Sequence, residues 1–151
     1  MGMQLLTDIG GEISVIRSIS PQAISGSSDV NGANSVGDRT PSGDQEYMSG
    51  VLTLVTGATT GTPTTVSVAC RLQDSADGTS GWADIASSAG GPYAITAITA
   101  ADSVASVNFN AKPIRRYVRA VATPTFTGGS SPTILIAATI ALGGAQKKPT
   151  S

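Results

Sequence analysis

The chain has few of the residues that carry out most protein chemistry. It contains no histidine and one cysteine, Cys70, in 151 residues. The absence of histidine excludes a Ser-His-Asp or Cys-His catalytic site and a histidine-ligated metal. The single cysteine excludes an intrachain disulfide and a CxxC zinc site, and it is typical of a protein assembled in a reducing cytoplasm. We therefore predict a protein that is not an enzyme and needs no cofactor or metal ion.

Charge and long apolar runs are also scarce. Charged residues make up 13% of the chain, and the formal net charge is −1. A nucleic-acid binder would normally carry a basic stripe, so we expect no nucleic-acid partner. Asp8 and Glu12 interrupt the apolar N-terminus, which has no basic region before it, so a signal peptide is not expected. The most apolar run, 133–142, is half the length of a membrane helix, and we predict a soluble protein with no membrane partner.

The residues that are abundant favour β-structure. Several runs alternate apolar and polar side chains with period two, and clusters of Gly, Ser, Asn, Asp and Pro separate them, which is typical of antiparallel strands and not of βαβ units. The predicted strands are 50–56, 65–73, 82–85, 103–110, 115–123 and 133–142. At most one short helical turn is expected, within 94–105. The sequence predicts an all-β protein, an antiparallel β-sandwich of jelly-roll-like or immunoglobulin-like type, over 29–145, followed by a basic C-terminal tail at 146–151.

The first 28 residues differ in composition from the rest. The stretch 24–45 is mostly Ser, Gly, Asn and Asp and cannot bury enough apolar surface to order itself. We predict that 1–28 is an extended N-terminal arm lying on a neighbouring subunit. The alternative is that this stretch forms one more strand of its own sandwich. The apolar side chains that would make the contact are Leu5, Leu6, Ile9, Ile13 and Ile16.

Two other groups of residues are candidate contacts between subunits. The run 133–142 is apolar on both faces, so the strand is either central in the sandwich or covered by another subunit. Its candidate interface residues are Ile134, Ile136 and Ile140. Arg115 and Arg119 lie on either side of Tyr117 on one face of a strand. They form either a solvated outer face or a contact with a partner carboxylate.

The remaining distinctive residues have structural interpretations. The segment DSADGTSGWAD lacks the ligand spacing of a calcium loop, and Asp77-Gly78 predicts a hairpin turn. Trp82 is expected to cover the core of the sandwich and not to stack on a ligand. Cys70 alternates with Val68 and Leu72, which predicts a buried, unreactive thiol.

The ordered part of the chain resembles a known group of proteins. The segments RLQDSADGTSGWADI, KPIRRYVRAV and LGGAQKKP, with SSDVNGA before them, resemble small virion proteins of tailed bacteriophages over 29–149. The resemblance implies a head decoration (cement) protein, assembled in the host cytoplasm and located on the capsid surface of the virion. It also implies that the major capsid protein is the partner, that the chain forms a homotrimer with 134–142 at its core, and that the arm clips a capsid subunit. The alternatives are a tail or head–tail connector component and a carbohydrate-binding module.

Overall fold

The chain folds into two antiparallel β-sheets that pack face to face. The computed structural model describes residues 13–32, 35–41 and 45–147. The prediction of an all-β sandwich is confirmed, and the stretch 94–105, where a helical turn was expected, contains strand residues instead. The described strands are β1 (Ser14–Ser25), β2 (Val30–Asn31), β3 (Gly37–Asp38), β4 (Gln45–Thr60), β5 (Thr65–Ser75), β6 (Ala83–Asp84), β7 (Ala94–Ile98), β8 (Ser103–Asn110), β9 (Tyr117–Thr127) and β10 (Thr133–Lys147).

The strand order places the longest strands at the centre of each sheet. The first sheet has the order β1-β10-β4-β8. In the second sheet β5 pairs with β9, the short strands β2 and β3 pair with β9, and β6 and β7 pair with β5. No helix among the described residues is long and apolar enough to cross a bilayer.

The N-terminal region corrects the prediction of an arm over 1–28. Within it, Ser14–Ser25 is strand β1, which pairs with β10 from Ser14 opposite Leu142 to Ser25 opposite Thr133. The alternative of one more strand in the sandwich therefore holds for this segment. The physical reason is burial, since Ile19 and Ile24 point into the chain's own core. The predicted contact residues Leu5, Leu6 and Ile9 lie outside the described residues.

The domain bounds shift as a consequence. The first described strand of the sandwich begins at Ser14, before the predicted boundary at residue 29, and the last strand continues to Lys147, into the region predicted as a basic tail. Residues 148–151 of that tail lie outside the described residues.

The core fills the space between the two sheets. Leu52 and Leu54 of β4 face Leu72 of β5 and Val118 of β9, and all four are fully buried. The inward face of β9 is formed by Val118 and by the alanines that follow it at alternate positions. Cys70 is part of this core, as predicted, and burial raises the pKa of its thiol to about 12.

The three isoleucines of β10 that were predicted to form an interface point into the chain's own core, so this prediction is wrong. Ile134, Ile136 and Ile140 were expected to contact another subunit, but their exposed fractions are 0%, 2% and 0%. β10 lies between β1 and β4, and these three side chains pack into the chain's own core. They cannot form the core of a trimer, and the opposite side chains of β10 are the ones left at the surface.

Candidate interaction face

The outer surface of the second sheet carries a continuous polar network, which we call the charged face. Arg71 of β5 donates to Asp29 at 2.6 Å, to Asp84 at 3.0 Å and to Thr123 at 3.1 Å. Gln73, two residues along β5, donates to the same Asp84 oxygen at 2.8 Å. The hydrogen bond from Arg71 holds the pKa of Asp29 below its ordinary value. The same bond holds the pKa of Arg71 above the ordinary value for arginine.

Arg119 and Trp82 continue this network, and this corrects the prediction for Trp82. Arg119 donates through Nε and an Nη atom to Gln73 Oε1, at 3.1 and 2.8 Å. Its guanidinium lies 4.3 Å from the centre of the Trp82 ring. Trp82 is half-buried on the charged face and does not belong to the core between the sheets. The stacking explains the position of Trp82 on this face, because the ring covers the guanidinium of Arg119. Burial lowers the pKa of Arg119.

Arg115, the other predicted contact residue, is also bonded within the chain. Its backbone N–H and its Nε donate to the two carboxylate oxygens of Asp74, both at 2.8 Å. Its remaining nitrogens donate to the carbonyls of Gly81 and Asp74. Asp74 is 9% exposed, so this pairing fastens the β8–β9 connection to the end of β5. All three guanidinium nitrogens of Arg115 are engaged within the chain, so pairing with a partner carboxylate would cost Arg115 some of these bonds. Arg119 is bonded within the chain through Nε and one Nη atom.

The Asp77-Gly78 segment forms the predicted turn. The Ser80 hydroxyl donates to Asp77 Oδ2 at 2.6 Å, and the backbone N–H groups of Thr79 and Ser80 donate to Oδ1 at 2.9 and 2.8 Å. The Ser80 hydroxyl bond first, and then the backbone bonds, hold the pKa of Asp77 below its ordinary value. Gly78 has φ +76°, a conformation that glycine adopts without strain. The carboxylate is satisfied by its own loop, and the described residues contain no cluster of three metal-ligating side chains.

The outer surface of the first sheet has the opposite chemistry, and we call it the open face. The strand register places its side chains in rows that run across three or four strands. One row reads Val15, Ala141, Val51 and Asn108; the next reads Arg17, Thr139, Thr53 and Ser106; a third reads Ala137, Val55 and Val104. Arg17 is the sole charged side chain in these rows of described residues. The face is a flat surface of small and β-branched side chains.

Large apolar side chains on this face are exposed to an unusual degree. Val15 is 69% exposed, Val104 67% and Leu135 47%. A groove of about 650 Å³ lies at one end of the face, and its lining includes Ile13, Val51, Ala141 and Gly143. Burying such surface is favourable at about 25 cal/mol per Å², so a face with this much exposed apolar surface and one charged side chain is a candidate contact surface.

Two residues of the predicted arm take different positions around this face. Ile13 lies at the edge of the groove and is exposed, as a contact residue would be. Ile16 is half-buried and packs against the chain's own core, because it alternates with Val15 along β1. The sequence therefore identified one residue of the open face and missed the rest. Those residues come from four strands that are distant in sequence, and only the register shows that they are neighbours.

Comparison with solved structures gave a weak likeness. No family model and no curated protein matched the sequence. A solved structure titled "Desmodium yellow mottle tymovirus" aligns with 13% identity and a TM-score of 0.35, covering 100% of this chain and 92% of the other. A likeness at this TM-score assigns neither a family nor a function to this chain.

Proposed function

We propose that this protein is a non-enzymatic structural component of a bacteriophage virion, a head decoration protein that binds the capsid shell through its open face. One observation carries the proposal: the two outer faces of the sandwich differ sharply in charge. The charged face satisfies its ionised groups within the chain and suits contact with water. The open face has exposed valines and leucine and a single charge, and it suits contact with another protein.

The size of the open face also bears on how it would bind. Four strands about 4.8 Å apart, over about eight residues each, give an area of about 500 Å². A stable interface uses about 800 Å² on each partner. One copy alone would therefore bind weakly, and many copies on a repeating shell would be needed to stabilise it. This agrees with a decoration role in which the major capsid protein is the partner.

The proposal is tested by binding to purified shells that lack this protein. Val55→Glu places a charge on a central strand of the open face, and Thr125→Glu places the same charge on the exposed outer side of β9. We expect Val55→Glu to lower shell occupancy at least tenfold, because the carboxylate would be buried without a partner. Thr125→Glu should bind like the natural chain.

Two results would count against the proposal. Equal binding by both variants would remove the open face from the contact. Copy number gives the second test: hundreds of copies per particle are expected for a shell protein. A count of six, or of a few rings of six, would instead identify a tail or connector component.

A further inference from the structure

The two edges of the first sheet differ in whether they can accept another strand. On one edge, β1 carries register irregularities between Arg17 and Ile19 and between Ile19 and Gln22, and it contains Pro21. Bulges, proline and charge are the devices that prevent a sheet edge from pairing with another chain. The opposite edge, β8, pairs with β4 without interruption from Ser103 to Asn110. Its sequence, SVASVNFN, contains no charge, no proline and no glycine.

Hydrogen bonding shows which backbone groups of β8 point outward. Ser103 exchanges bonds with the Thr56 side chain of β4, so its N–H and C=O face β4. Asn110 is an odd number of residues away from Ser103 along β8, and it donates its backbone N–H to the Tyr93 hydroxyl on the side away from β4. Backbone groups alternate in direction along a strand. Val104, Ser106 and Asn108 therefore direct their N–H and C=O groups away from β4.

Nothing in the described part of the chain pairs with these three residues. β7 packs near β8, but it belongs to the second sheet and pairs there with β5. The side chains of Val104, Ser106 and Asn108 are all exposed. On the inner side, Ala105 and Val107 are half-buried, so apolar surface at this edge is also incompletely covered.

We propose that β8 pairs with β8 of a second copy of this chain, antiparallel about a two-fold axis at Ser106. In this register Ser106 lies opposite Ser106 of the second copy, and Val104 lies opposite Asn108. The outward groups then meet as hydrogen-bonded pairs and form about six bonds. A second copy fits because the edge is uncharged and is complementary to itself under this rotation, so no like charges meet.

The pairing has a geometric consequence for the open face. Joining two β8 strands makes a continuous eight-stranded sheet, and the open faces of both copies lie on the same side. The combined area is about 1,000 Å², which exceeds the roughly 800 Å² that one partner contributes to a standard interface. The self-pairing does not depend on the proposed function, because it concerns the isolated protein in solution.

The test is analytical ultracentrifugation of the full chain over a concentration series. Ser106→Lys puts two lysines opposite each other at the axis and should raise the dimer dissociation constant about tenfold or more. Thr53→Lys is the matched control, since Thr53 is the β4 neighbour of Ser106 on the same face and lies off the edge. It should change the dissociation constant less than about twofold. Thermal unfolding of both variants checks that they remain folded.

Hydrogen exchange of the unmodified chain gives a second measurement that needs no variant. The amides of Val104, Ser106 and Asn108 should exchange more slowly as concentration rises, while those of β1 should not change. A chain that stays monomeric, a trimer, or exchange at β8 that is independent of concentration would overturn the proposal. Equal loss of the dimer in both lysine variants would also overturn it, because the contact would then lie on the open face.

Discussion

The two faces of β10 should respond very differently to the same truncation. Ile140 is fully buried between the sheets, whereas Leu135, five residues earlier on the same strand, is 47% exposed on the open face. Replacing each by alanine removes a branched apolar side chain from one strand of one sheet. The pair therefore separates a residue that stabilises the fold from a residue available for contact with a partner.

The expected magnitudes follow from burial. Truncating a fully buried isoleucine to alanine costs about 2–5 kcal/mol, through lost transfer free energy and the cavity left behind. We expect Ile140→Ala to lower the free energy of unfolding by about 3 kcal/mol, which corresponds to a fall in Tm of about 6–12 °C in a domain of this size. Leu135→Ala should cost less than about 1 kcal/mol, since the side chain is partly solvated already.

Urea unfolding followed by fluorescence is the suitable assay. Trp82 is the sole tryptophan and lies on the charged face of the other sheet, so neither substitution alters its surroundings. Both variants should unfold in one transition with the m-value of the natural chain. A cost below about 1 kcal/mol for Ile140→Ala, or equal costs for the two variants, would refute the assignment of Ile140 to the core.

Three further predictions concern single sites. Gly50→Ala should lower the free energy of unfolding by about 1–3 kcal/mol, because the new Cβ would lie 2.2 Å from the Phe109 ring. In urea unfolding, adding Phe109→Leu to this variant should recover part of the loss. Cys70 should not react with a thiol reagent at pH 8 in the folded protein and should react fully in urea, since burial raises its pKa to about 12. The folded state holds the pKa values of Asp29 and Asp38 below the ordinary 3.8, so the free energy of unfolding should fall as pH decreases below about 4. Asp38→Asn should make the urea midpoint depend less on pH below about 4.

The strands with the clearest alternation could be predicted from sequence. The prediction for 103–110 matches β8, and those for 65–73 and 133–142 lie within β5 and β10. These segments are rich in β-branched residues, and in 65–73 most solvent-facing positions are polar, so local sequence is sufficient to define them as strands. The turn at Asp77-Gly78 could be predicted for the same reason, because its bonds form within a few residues.

Features that depend on distant partners could not be predicted in this way. β1 contains Pro21 and alternates irregularly, and it becomes a strand because β10, over 100 residues later, offers an edge for pairing. The position of Trp82 depends on Arg119, which lies on another strand and needs an aromatic cover. Both outcomes are set by tertiary contacts that override the local pattern.

Which face of β10 is buried could not be predicted from its sequence. Apolar residues alternate with apolar residues along 133–142, so periodicity alone does not indicate which face is buried. The deciding information lies in the second sheet, whose ionised side chains pair among themselves on its outer surface. Because that sheet must turn its apolar face inward, β10 supplies its isoleucines to meet it, and Leu135, Ala137 and Ala141 lie on the opposite side of the strand. The same segregation of charge leaves Arg17 as the sole charged side chain in the described rows of the open face.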